Sequence, residues 1–119
     1  MHYELNIGLD VSGSDNSTAA RQSRISKALG LLCFANIATV AWEVVGELDD
    51  SFEHAEPCLY VAVIGRNIGV AVGHISEKLG QDCIAMVDED GVGELVGPRA
   101  SGWGDFNPAF FRRPSFATA

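Results

Sequence analysis

The chain has 119 residues, 47% of them hydrophobic, which is the size of one domain with enough apolar side chains for a core. Sixteen acids against eight Lys and Arg give a net charge of −8, which argues against direct binding to nucleic acid or to an anionic membrane surface. No apolar run reaches the roughly 18 residues of a membrane span, and the charged, alternating start "MHYELNIGLD" is not a signal peptide, so a cytoplasmic protein is expected.

Residues 3–11 alternate. Tyr3, Leu5, Ile7, Leu9 and Val11 are apolar, and Glu4, Asn6, Gly8 and Asp10 are not, which predicts a strand with one buried face. Glu4, Asn6 and Asp10 are expected to point away from the helices. After the loop "SGSDNS", a helix is predicted over residues 17–32. Asp15 or Ser17 can cap it by accepting from a first-turn N–H. Ile25, Ala28, Leu29 and Leu32 form its apolar stripe, with Arg21, Arg24 and Lys27 on the other sides.

Residues 37–48 are β-rich, with Ala38, Val40, Trp42 and Val44 expected on one face and Ile37, Thr39, Ala41, Glu43 and Val45 on the other. "DDSFEHAEP" interrupts. Residues 58–65 are apolar on both faces, as an interior strand is. A second helix is predicted over residues 68–79, with Asn67 as N-cap and Gly80 just past its end. Its stripe is Ile68, Ala71, Val72, Ile75 and Leu79. Gly69 and Gly73 weaken it by roughly 1 kcal/mol each relative to alanine; close packing on a sheet is the expected reason for them. "CIAMV" reads as a strand, Asp90-Gly91 as a hairpin turn and "VGELVG" as an edge strand that Pro98 ends.

The order β-α-β-β-α-β plus a hairpin strand predicts an α+β, ferredoxin-like split βαβ domain over residues 1–98, with two helices on one face of an antiparallel sheet. The second, third and fourth strands are apolar on both faces. Burial of one large apolar side chain is worth roughly 1.5–3 kcal/mol, so the second sheet face must be covered. Residues 99–119 carry Trp103, Phe106, Phe110, Phe111 and Phe116, with Asn107-Pro108 as a helix start. This aromatic extension is expected to pack on the domain as a lid, or else on a partner or a second copy of the chain. Trp103, Phe106, Phe110, Phe111, Arg112 and Arg113 are residue types enriched in binding hot spots.

Catalytic and metal signatures are weak. Cys33, Cys58 and Cys83 sit in apolar runs and are expected to be buried, reduced thiols; no CxxC or Cys/His pair has zinc spacing. His54 lies two residues before Glu56 without an accompanying nucleophile, and His74 is off its helix's stripe. "DDSFEHAE" lacks the spacing of a calcium loop. "GRNIGVAVG" places Arg66 at a helix start but lacks GxGxxG and a P-loop lysine. No catalytic residue, metal or cofactor is therefore expected. A ferredoxin-like small-molecule binder or enzyme, often dimeric, is the alternative, its pocket lying between sheet and tail with Trp42, Tyr60 and Trp103 as walls.

The charge is unevenly placed. Eleven of the 16 acids lie in two windows without Lys or Arg, between Lys27 and Arg66 and between Lys78 and Arg99. Glu47, Asp49, Asp50, Glu53, Glu56, Asp88, Glu89 and Asp90 are the candidate partner-binding carboxylates. They would meet a basic protein surface that otherwise holds phosphates.

"GELVGP" followed by "WGDFNPAFF", with "AEPCLYVAV" upstream, resembles the ends of small accessory proteins of tailed phages over about 60 residues. The resemblance implies a non-enzymatic, anti-CRISPR-like inhibitor of a host defence complex, working in the cytoplasm of a bacterial host. It carries over no individual functional residue. A self-assembling phage structural component is the further alternative.

Overall fold

The computed structural model describes residues 1–45 and 57–117. Five strands, β1 (His2–Gly8), β2 (Ala38–Val45), β3 (Cys58–Ile64), β4 (Ile84–Asp88) and β5 (Gly93–Val96), form one antiparallel sheet in the order β2-β3-β1-β4-β5. Helix α1 (Thr18–Phe34) links β1 to β2, and α2 (Gly69–Lys78) links β3 to β4. This is the α+β, ferredoxin-like arrangement, extended by β5 beyond β4.

Period-two alternation sets the register. Leu5 stands opposite Val61 on one side and Met86 on the other, so all three point to the same face. There they meet Ala28 and Leu32 of α1 and Val72 and Ile75 of α2, and the main core forms between sheet and helices. β3 and β1 lie in the interior of the sheet, which accounts for the apolar run on both faces of β3.

Local signals place most boundaries. Ser17 caps α1, its Oγ accepting from the Ala20 N–H at 3.2 Å. Gly80, at φ 70°, ends α2: its N–H donates to the Glu77 carbonyl, and the Gln81 N–H donates to the Ser76 carbonyl.

Several expectations need correction. β1 ends at Gly8, and Asp10 turns toward α1 instead of away from it, accepting from Arg21 Nε at 2.6 Å and Nη2 at 2.9 Å. Arg24 and Lys27 are likewise tied into the fold, to the Leu9 and Lys78 carbonyls. Asn67 does not cap α2. It takes a left-handed turn conformation (φ 52°), and Ile68 occupies the cap position without a side-chain bond. Cys33 is exposed at the end of α1, whereas Cys58 is buried. In β2 a bulge between Thr39 and Ala41 shifts the faces, so that Thr39 stands opposite Val63 on the helix side of the sheet. A Cβ at Gly73 would meet Val96 at 3.5 Å and one at Gly69 would meet Met86 at 4.0 Å, so packing does not require glycine at either position.

Candidate functional site

The second face of the sheet carries Tyr60 and Ala62 from β3, Ala85 and Val87 from β4, and Glu4 and Asn6 from β1. Residues 104–116 cross it. Phe111 is buried there with Tyr60 and Val87, flanked by Val45, Ala62, Ala85 and Phe106. Phe106 seats on Gly93. A Cβ at position 93 would come within 2.1 Å of its ring, so the missing side chain makes the notch that holds it. Phe106 and Phe111 stand 6.0 Å apart, and Phe116 meets Tyr60 edge-on at 6.1 Å.

Polar contacts fix the direction of the crossing. The Asn6 side-chain amide pairs with the Arg112 backbone: Nδ2 donates to its carbonyl at 2.9 Å, and its N–H donates to Oδ1 at 2.8 Å. Glu4 accepts from Arg113 at 2.9 and 3.2 Å and from the Tyr60 hydroxyl at 2.7 Å. Arg113 also lies over the Phe111 ring, 4.7 Å from its centre. At the start of the tail, Asp82 takes hydrogen bonds from Arg99 Nε and from Trp103 Nε1. Asn107 caps a short 3-10 helix, Pro108–Phe110, accepting from the Ala109 N–H at 3.0 Å.

These contacts set the ionisation. Burial alone would raise the Glu4 carboxyl, but the hydrogen bonds from Arg113 and Tyr60 and the Arg113 charge outweigh it and hold the group below its ordinary value. The Tyr60 hydroxyl is pushed up by burial and by the adjacent Glu4 carboxylate. The Asp82 carboxyl is lowered by the bonds from Arg99 and Trp103. Burial raises the Cys58 thiol to about 11, and burial with the Asp82 charge raises Cys83. Both are thus held as thiols at neutral pH, which suits packing and not nucleophilic attack.

The structure treats the remaining candidate residues differently. Glu47, Asp49, Asp50, Glu53, His54 and Glu56 lie outside the described residues. Asp88 serves its own hairpin, its Oδ1 accepting from the Asp90 and Val92 N–H groups at 2.9 Å each. Gly91 (φ 78°) closes that turn, and Glu89, Asp90 and Glu94 stand exposed around it. Phe110 is 71% and Trp103 65% exposed. The three proposed pocket walls are not brought together: Tyr60 lies under the tail, Trp103 stands on Asp82, and Trp42 borders an open depression of about 640 Å³ beside α1. Among the described residues no three His, Cys, Asp or Glu side chains cluster as a metal site, and no helix is long and apolar enough to cross a membrane.

Sequence reasoning missed Glu4, Asn6, Tyr60 and Asp82 as the tail's anchors. The alternation of β1 marks Glu4 and Asn6 as opposite the helix-facing side, but their partners lie more than 100 residues away in sequence. Comparison with family profiles, curated proteins and solved structures gave no match for this chain.

Proposed function

We propose that the protein is a non-enzymatic, acidic protein-binding protein that inhibits a host nucleic-acid-handling complex by presenting carboxylates where that complex holds phosphates. The resemblance to phage accessory proteins supports a site of action in the cytoplasm of a bacterial host. The observation that carries this reading is the display of charge. Glu89, Asp90 and Glu94 are exposed on one hairpin, in a stretch without Lys or Arg from Lys78 to Arg99. Arg21, Arg99 and Arg113 meanwhile pair with Asp10, Asp82 and Glu4 of the same chain. The hairpin acids therefore face outward, where long-range attraction to a cationic surface speeds encounter.

Affinity capture from a bacterial lysate followed by a salt titration of the purified pair tests the reading. The captured partner is expected to present a basic surface and to lose affinity as salt is added. Glu89→Lys with Asp90→Lys is expected to slow association by about tenfold. Binding that ignores both salt and the charge reversal would reject charge mimicry.

A further inference from the structure

β2 is a free edge of the sheet, hydrogen-bonded to β3 alone among the described strands. Edge strands are ordinarily blunted by Lys, Pro, short length or a cover. β2 runs for eight residues, ATVAWEVV, with no Lys, Arg or Pro and one acid, Glu43; its bulge near Val40 leaves residues 41–45 in regular register. Trp42 and Val44 stand opposite Val61 and Leu59, which face the core, so both point to the helix side of the sheet. Yet Val40, Trp42 and Val44 remain 61%, 48% and 40% exposed, and Phe34 at the end of α1 is 89% exposed. Val40 and Trp42 border the open depression together with Leu29, Cys33 and Ile37.

We propose that this edge pairs with β2 of a second copy of the chain, antiparallel about a two-fold axis through Trp42, making one continuous ten-stranded sheet. The strand is self-complementary about that residue. Over the regular part of the strand Trp42 meets Trp42 and Glu43 meets Ala41, with Val40 at the bulge lying toward Val44, so an aromatic cross-strand pair forms and the two carboxylates never oppose each other. The side chains of one copy then enter the depression of the other.

The area also fits. At its present exposure Trp42 alone offers roughly 120 Å². Val40, Val44, exposed Cys33 and the unpaired strand edge widen the patch to a few hundred Å² per copy, the size of a small, weak interface. A reversible dimer follows. A cationic partner would find a single carboxylate on this strand, so the surface differs in kind from the acidic hairpin. Because each copy carries −8, added salt relieves repulsion between copies and strengthens this pairing, whereas it weakens the charge-driven binding proposed above.

Sedimentation of the full chain with reductant present, across a concentration series at low and high salt, tests the proposal; the reductant excludes a disulfide through exposed Cys33. The mass is expected to rise from 12.7 kDa toward twice that value, and to rise earlier at high salt. Trp42→Lys, or Val44→Lys if the first variant fails to fold, is expected to raise the dimer dissociation constant about tenfold or more while leaving the monomer's melting temperature close to wild type. A chain that stays monomeric throughout, a dimer untouched by both variants, one that salt dissolves, or one abolished by Phe110→Ala in the tail would each overturn it. None of these outcomes bears on whether the acidic hairpin binds a cationic partner.

Discussion

At Gly97 an added Cβ would lie 2.5 Å from the Asp82 carbonyl oxygen and 2.6 Å from the Cys83 Cα, both backbone atoms that cannot swing aside. Gly97→Ala is expected to cost about 2–3 kcal/mol, read as a lower urea midpoint. Gly73→Ala should go the other way. Its Cβ meets Val96 at an ordinary 3.5 Å, and the helix gains about 0.5–1 kcal/mol of propensity. Glu4 carries a pH signature. Folding lowers its affinity for a proton, so its contribution to stability is complete above the ordinary value of 4.5 and is lost as pH falls through the lowered one. The melting-temperature gap between wild type and Glu4→Gln should therefore be full at neutral pH and close on acidification. A gap unchanged in acid would mean that the Glu4–Arg113 pair does not hold the tail.

The tail is an element whose residues divide by burial. Phe111→Ala removes a buried ring from the second core and is expected to cost about 3 kcal/mol, whereas Phe110→Ala, one position earlier and exposed, should cost under about 0.5 kcal/mol. Equal effects in thermal melts would contradict the observed crossing. Which parts were legible in the sequence follows from the range of each signal. The alternation of β1, the double-sided apolarity of β3, the Ser17 cap, the Gly80 stop and the Asn107-Pro108 start act within a few residues, and they could be read directly. The pairing of Asn6 with Arg112 spans 106 positions, and that of Glu4 with Arg113 spans 109. No local pattern announces them. The β2 bulge was hidden for a different reason, because an inserted residue leaves the composition of a strand unchanged. Asn67 looked like a cap because asparagine suits both a cap and a left-handed turn, and only the backbone decides between them.

At the scale of the molecule, one helix-covered core and one tail-covered core enclose the sheet between them. The tail uses Phe106, Phe111 and both of its paired arginines, Arg99 and Arg113, on the domain itself. The two surfaces proposed for binding, the acidic hairpin and the β2 edge, lie outside these contacts. This division depends on the tail being part of the fold and not an appendage waiting for a partner. The most direct measurement compares the solubility and urea midpoint of the full chain with those of a chain ending at Pro98. Loss of the last 21 residues uncovers Tyr60, Ala62, Ala85 and Val87, and the shortened chain is expected to aggregate or to unfold at a clearly lower midpoint. A shortened chain equally soluble and equally stable would show that the second face needs no cover, and would return the aromatic tail to the list of binding surfaces.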